Sequence, residues 1–254
     1  MNCVILQPSY IPWRGYFHQI QKADVFVFYD DVQYDAHGWR NRNRIKTPTE
    51  SRWLTIPVRH AGLRAFHDNC TEDSPICAVE TVTSAKWHRK HFENLRQYYR
   101  DAPFLKDYLP LLKSWYSEPT PLLADLTIRQ TIDIARELGI TKTRFVRSST
   151  LGFEGAKTNR LLKILHHLGA THYICGPAAN VYLSEAELNE AGITLEWMKY
   201  DYPEYPQLYG PFDAHLSILD LLFMTGPEAH RYIWDREIGD GVPAEADGEL
   251  VRLA

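Results

Sequence analysis

Histidine is the side chain whose charge changes nearest neutral pH, so acid–base chemistry in this chain is sought first at its histidines. His91 closes the run Lys86-Trp87-His88-Arg89-Lys90-His91, which sets two histidines three apart on a helical pattern. It shares a face with Trp87 and Leu95, so a core histidine held by one hydrogen bond is the competing reading. His18 follows the N-terminal loop by one helical turn and is the second candidate. A third candidate for a catalytic role is a carboxylate, Asp30, which opens the segment Asp30-Asp31-Val32-Gln33-Tyr34.

Recognition chemistry lies elsewhere. Trp39-Arg40-Asn41-Arg42-Asn43-Arg44 alternates amide and guanidinium groups. In an extended chain Asn41 and Asn43 face one way, and Arg40, Arg42 and Arg44 the other. Planar, multi-donor side chains suit carboxylate or phosphate. A charged edge strand that resists aggregation is the alternative. The N-terminal block Ile5-Leu6-Gln7-Pro8-Ser9-Tyr10-Ile11-Pro12-Trp13-Arg14-Gly15-Tyr16-Phe17 reads as strand, turn-prone loop and helix. That architecture presents backbone N–H groups to an anion at a helix N-terminus. Gln7, Tyr10, Trp13 and Tyr16 are its candidate substrate-binding residues, with Asn41, Arg42 and Asn43 beside them. Tyr173 and the turn Gly176-Pro177-Ala178-Ala179-Asn180-Val181-Tyr182 offer a further group, in which Gly176 and Tyr182 are candidates. The loops after three strands would line one pocket if those strands are parallel.

No metal is expected. His67, Cys70 and Cys77, or His166 and His167, do not match zinc-ligand spacing. Gly152, Gly155, Lys157 and Thr158 miss the P-loop glycine spacing and read as a helix start. Cys175 reads as packing before nucleophile.

These residues need a scaffold, and the periodicity supplies one. Asn2–Leu6 and Val25–Tyr29 read as strands around a helix near 15–23, a βαβ unit. Ser51–Val58 is an edge strand stopped by Pro57. The 81–120 stretch is helical, an insertion or cap, with Trp87, His91, Leu95 and Tyr98 on one face. Then follow a helix over 122–138 ended by Gly139, a strand at Arg144–Arg147, a helix over 159–168 and a strand at Thr171–Cys175. Ser184 to Glu187 matches a capping box, Ile193–Lys199 reads as a strand, and Leu216–Thr225 as a helix before Gly226-Pro227. Alternation of this kind implies an α/β fold with a mainly parallel sheet and one domain over 1–239. Residues 240–254 read as a flexible acidic tail.

At 254 residues, with 44% hydrophobic and 24% charged residues, the composition is that of a globular protein. No apolar run would span a bilayer, no secretory signal is legible, and four scattered cysteines do not make a disulfide framework, so a cytoplasmic setting is expected. The net charge of −4 is uneven. Arg40, Arg42, Arg44, Lys46, Arg52, Arg59 and Arg64 face a single acid, Glu50, across 40–64. That suits an anionic small ligand or a solvated face; without a nucleic-acid-binding motif, DNA is not an expected partner.

Several separated blocks together resemble the WbqC-like family of bacteria, over about residues 3–227. They are Gln7-Pro8-x-Tyr10-x-Pro12-Trp13-x-Gly15-Tyr16-Phe17, Asp24-x-Phe26-Val27-x-x-Asp30-Asp31-Val32-Gln33-Tyr34, Trp39-x-Asn41-Arg42-Asn43 and Trp87-x-x-Lys90-His91. Tyr173-Ile174-x-Gly176 with Tyr182, Tyr205-Pro206-Gln207 and the run Leu216 to Leu222 complete the set. The opening loop also resembles a degraded nucleotidyltransferase signature, strand then proline then His-x-Gly-His, with Trp13 and Tyr16 in place of the histidines. Arg147-Ser148-Ser149-Thr150 is similar to a later element of those enzymes. This resemblance implies a Rossmann-like, nucleotidyltransferase-like sheet but weakens nucleotidyl transfer itself, since the phosphate-stabilising histidines are gone.

The resemblance implies a biosynthetic role connected with surface polysaccharide, and an acyl- or aminoacyl-(glycine)-transferase forming an amide or ester on a small molecule or sugar. Such an enzyme needs a base and oxyanion donors. His91 or His18 would be the base, Asn41 or loop N–H groups the donors, and Arg42 the anion contact. The donor is left open between a nucleotide and an acyl or aminoacyl thioester, with a carrier protein as an eventual partner. A nucleotide-binding ligase and a non-catalytic subunit of a biosynthetic complex are the alternatives.

Overall fold

Strand β1 (Asn2–Leu6) leads through a loop into helix α1 (Arg14–Lys22) and returns as β2 (Val25–Phe28) in a computed structural model that describes residues 1–59, 74–181 and 183–234. Two small antiparallel pairs follow, β3 (Arg42–Lys46) with β4 (Ser51–Thr55), and β5 (Val58–Arg59) with β6 (Glu80–Thr81). Helices α2 (Trp87–Tyr98), α3 (Leu105–Tyr116) and α4 (Leu123–Glu137) precede β7 (Arg144–Arg147). The chain then alternates through α5 (Lys157–Leu168), β8 (His172–Cys175), α6 (Glu185–Glu190) and β9 (Thr194–Trp197), and finishes with α7 (Ile218–Thr225). Tyr182 and the tail over 240–254 lie outside the described residues, as do His67 and Cys70.

Five strands form one sheet in the order β7-β2-β1-β8-β9, every neighbouring pair parallel. Numbered by their appearance in the chain, they run 3-2-1-4-5, the doubly wound order that reverses between β1 and β8. Side-chain alternation explains why the sheet is covered twice. Cys3, Ile5, Val25 and Val27 pack with Leu161, Ile164 and Leu165 of α5 and Leu188 of α6. Val4, Phe26 and Phe28 point the other way, toward Phe17 and Ile20 of α1, Leu126 and Ile134 of α4, and Leu219 and Leu222 of α7. Strands buried on both faces read as unbroken apolar runs, which is how Val-Phe-Val-Phe marked β2.

The 81–120 stretch holds α2 and α3, and α4 is the crossover helix into β7. The excursion between β2 and β7 is wider than that stretch, because it includes β3 to β6. The β3–β4 hairpin turns Asn43, Ile45 and Leu54 inward and rests on α7, where the Ser217 amide donates to Arg44 O at 2.9 Å. A partner some 170 residues downstream leaves no local sequence pattern.

The loop between β1 and α1 is buried from Pro8 to Pro12 and works through its carbonyls. Asn43 Nδ2 donates to Tyr10 O and Ile11 O at 3.2 and 2.9 Å. Ser217 Oγ donates to Ile11 O at 2.7 Å and caps α7 through Leu219 N, while Ile218 N donates to Pro12 O at 2.9 Å. Arg40 Nη1 and Tyr16 Oη both donate to Gln7 O. Ile11 is β-branched yet sits at φ 35°, a strained conformation that survives because its surroundings are over-determined. Asn43→Ala is therefore expected to lower unfolding free energy by about 1–3 kcal/mol, because the buried Tyr10 carbonyl loses its donor and the Ile11 carbonyl keeps only Ser217; urea titration measures it.

Asp220, fully buried in α7, accepts from Tyr99 Oη and Tyr205 Oη at 2.8 Å each. Burial pushes its carboxyl up from 3.8 to about 6, against the two hydroxyls that favour the anion. The folded protein thus holds this proton more tightly than the unfolded chain. That contribution is full below pH 4 and disappears as pH rises through about 6. Asp220→Asn is expected to flatten the fall in stability between those limits, as measured by thermal unfolding across pH.

Candidate functional site

Tyr10 is the loop side chain that carries the hub inward. It is fully buried, with its hydroxyl 2.7 Å from Nδ1 of His91 on α2 and 2.6 Å from the Tyr116 hydroxyl on α3. The Trp87 ring stands 5.5 Å from the imidazole, centroid to centroid. Burial pulls the His91 pKa down to about 4, only partly opposed by the Thr55 backbone carbonyl. Burial also raises the Tyr10 and Tyr116 phenols. All three groups are therefore neutral at pH 7. With Nδ1 on the Tyr10 hydroxyl, the Thr55 carbonyl is left for Nε2–H, and the hydroxyl pair can hold either ring tautomer because each O–H donates or accepts.

His91 forms the inner wall of a cleft of about 390 Å³ between the β3–β4 hairpin and α2. Arg52, Trp53 and Thr55 of β4 face Trp87, Lys90 and Asn94 of α2 across it. Among the described residues two cations and no carboxylate line this cleft, which favours an anion.

His18 belongs to a different cavity. A larger cleft of about 550 Å³ is lined by Asn2, His18, Lys22, Tyr202, Arg231 and Trp234, and shares no lining residue with the His91 cleft. His18 Nδ1 lies 2.9 Å from Tyr202 Oη, and its pKa is lowered by burial and then by Lys22. Asn2 starts β1, so this cleft opens at the amino ends of the strands, whereas ligands of doubly wound sheets gather at the carboxyl ends.

At the carboxyl ends, aromatic side chains fill the space beside α1 and β8. A Cβ on Gly15 would meet the Trp13 indole at 2.3 Å, so that ring lies across the first turn of α1. A Cβ on Gly176 would meet Tyr200 Oη at 2.8 Å. Trp13 packs edge-on against Tyr200, and next to it Arg14 is buried over the Tyr202 and Tyr205 rings, donating to the Pro203 and Tyr232 carbonyls. The helix start that suggested an anion site is thus covered by protein. Tyr173 points into the α5–α6 face of the sheet, away from His91.

Asp30 is fully buried, and both its oxygens are taken. Oδ1 accepts from Ser149 N and Ser148 Oγ, and Oδ2 from Arg147 Nε and Ser149 Oγ, at 2.7 to 3.2 Å. Arg147 also pairs with Asp125, and Arg160 with Asp31. This network ties β2 to β7 and faces no cleft described above. Asn41 Nδ2 donates to Ile56 O at 2.8 Å, Asn43 holds the Tyr10 loop, and Arg42 donates to the Gly38 and His37 carbonyls. Cys175 is buried with its thiol pushed up to about 12, which suits packing. Among the described residues no three His, Cys, Asp or Glu side chains converge as metal ligands, and no helix is long and apolar enough to cross a membrane.

The residues thus separate into a His91–Tyr10 centre, a Trp13–Gly176 belt adjoining His18, and an Asp30 network. Tyr116, Arg52 and Trp53 were not singled out by local pattern. Tyr116 carried no signal beyond an apolar helical run, and Trp53 only an aromatic at a strand's outward position.

The fold defines an α/β protein built on a doubly wound, five-stranded parallel sheet. Residues 7–232 match the WbqC-like protein family, and the chain belongs to it. It is 37% identical over 231 residues to "Uncharacterized protein Rv1507c" of Mycobacterium tuberculosis (strain ATCC 25618 / H37Rv), covering 90% of this chain and 96% of that protein. No solved structure matches.

The His91 geometry has a spectroscopic consequence. In nitrogen-detected NMR the ring is expected as the neutral Nε2–H tautomer at pH 7, protonating only near pH 4. Tyr10→Phe is expected to keep the Nε2–H tautomer, which the Thr55 carbonyl holds, while shifting the Nδ1 resonance as its hydrogen bond is lost; titration near pH 6.5 in the parent protein would contradict the buried arrangement.

Proposed function

We propose that this chain is a biosynthetic transferase that joins an acyl or aminoacyl group, glycine among them, to an amine or hydroxyl on a small molecule or sugar, in the cleft between β4 and α2. The observation that carries this reading is the neutral His91, set against a cleft and backed by two buried hydroxyls. A nucleophile entering beside Thr55 competes with that carbonyl for Nε2. In the competent state the Nε2 proton has exchanged with water and the ring is protonated at Nδ1, whose N–H donates to Tyr10 as the Tyr10 O–H turns to Tyr116. Acting as general base, Nε2 then takes the proton of the incoming amine or hydroxyl as its bond to the acyl carbon forms, and passes it to the departing thiolate, which leaves as a thiol. Lys90 and Arg52 then stabilise the tetrahedral oxyanion and the anionic groups of the donor. Arg42 lies over the ring of Trp53, a wall of the cleft, while Asn41 and Asn43 hold the hairpin and the Tyr10 loop in place. The donor in this reading is a thioester, free or on a carrier protein, and the setting is the cytoplasm.

A second reading, a nucleotide-using ligase, is favoured by the doubly wound strand order, whose crevice opens between β1 and β8. Trp13 and Tyr200 pack beside that crevice, which supports placing the chemistry in the cationic cleft instead.

The test is acyl transfer from glycyl and short acyl thioesters to amino sugars and simple amines, with and without ATP. His91→Gln is expected to lower kcat by about 10²–10⁴-fold while the folded circular dichroism spectrum is kept. Turnover that survives the substitution refutes the base; turnover that requires ATP and releases AMP or ADP moves the function to the second reading. A partner enzyme that co-purifies with a chain that turns over no donor indicates a binding subunit.

A further inference from the structure

The outer face of the β3–β4 hairpin carries a feature the transfer chemistry does not need. Trp39 and Trp53 expose 42% and 43% of their surface, although the hairpin's inward positions are already filled by Ile45 and Leu54. The two indoles touch, with centroids 5.2 Å apart and planes 38° from parallel. The Arg42 guanidinium lies 4.7 Å from the Trp53 centroid and is anchored by the His37 and Gly38 carbonyls. Trp53 is also a wall of the His91 cleft, beside Arg52 and Lys90. Arg52 is oriented by the Tyr98 hydroxyl, 2.6 Å away, which aims the guanidinium without neutralising it. Among the described residues none of Arg42, Arg52 and Lys90 forms a salt bridge.

We propose that the Trp39–Trp53 pair, with Arg42, Arg52 and Lys90, binds a nucleobase joined to phosphate, the nucleotide handle on the thiol of a free acyl or aminoacyl thioester donor. This rests on the cleft reading above and names its substrate class. Exposed tryptophans supply stacking surface that any base can use, and the three cations, none in a salt bridge among the described residues, supply the complement to phosphate. A bare sugar ring would use the indoles and leave the cations unanswered. Inorganic phosphate would do the reverse. A nucleotide answers both at once, and the cleft's continuity with the Trp53 wall lets the remainder of the donor extend toward His91.

Isothermal titration of the full chain with the nucleoside monophosphates AMP, CMP, GMP and UMP, and with ribose 5-phosphate and glucose, tests the assignment. At least one nucleotide is expected to bind about tenfold or more tightly than ribose 5-phosphate, and glucose is expected not to compete. Trp53→Ala is expected to cost the nucleotide about tenfold and leave ribose 5-phosphate unchanged, with Trp53→Phe retaining part of the gain. Arg52→Gln combined with Lys90→Gln is expected to weaken both phosphates alike and flatten their salt dependence. All these residues are at the surface or half-exposed, and thermal unfolding checks that each variant folds. The assignment is overturned if no nucleotide surpasses ribose 5-phosphate, if Trp53→Ala leaves nucleotide binding intact, or if glucose competes equally. Because binding is read without turnover, the two readings fail separately. Nucleotide binding that persists in an inactive His91→Gln variant supports both. Acyl transfer without nucleotide binding removes only the nucleotide site, and nucleotide binding with His91-independent turnover removes only the base.

Discussion

The backbone carbonyls between β1 and α1 bring four distant parts of the chain to one point. Arg40 and Asn43 reach them from the hairpin side, and Ser217 and Ile218 from the start of α7. The Tyr10 side chain extends the same loop to α2 and α3. Buried carbonyls must find donors, so each of these contacts is obligatory once the loop is inside. Ile11 in a left-handed conformation shows how completely the surroundings dictate the loop's path. The position of His91 follows from that path, since the hydroxyl that holds its Nδ1 belongs to the loop.

Burial acts differently on the chain's interior charges, according to the partners available. Asp30 lies inside with both oxygens accepting hydrogen bonds from Arg147, Ser148 and Ser149. Arg14 is held by aromatic rings and carbonyls, without a carboxylate among its described contacts. His91 has only neutral partners, so desolvation wins and the ring stays unprotonated. The unprotonated imidazole therefore stands beside a cleft whose described lining includes Arg52 and Lys90.

Much of the scaffold was legible along the chain. β2, β7, β8 and β9 lie where apolar runs between turn residues placed them, and Ser184 Oγ accepts from Glu187 N as the capping box requires. The alternation in Asn41-Arg42-Asn43-Arg44 showed as buried amides and half-exposed guanidiniums. The candidate site was legible only in pieces. The Gln7–Tyr16 block was marked by composition, but composition does not distinguish a loop that presents donors to a ligand from one whose carbonyls receive donors from the protein. Trp13 and Tyr16 illustrate the difference, since one covers the first turn of α1 and the other donates to Gln7 O.

By itself the sequence determined the α/β class, the order of its elements and the family, because periodicity and local capping act over a few residues and need no distant partner. Tertiary structure alone decided that His91 joins Tyr10 and Tyr116, that His18 opens into a separate cleft, and that Asp30 is enclosed by β7. Each outcome depends on contacts between segments 81 to 119 residues apart, or on which of two cavities a helix face meets. Such contacts are selected by the summed packing and hydrogen-bond satisfaction of the whole interior, and no local stretch of sequence encodes that sum.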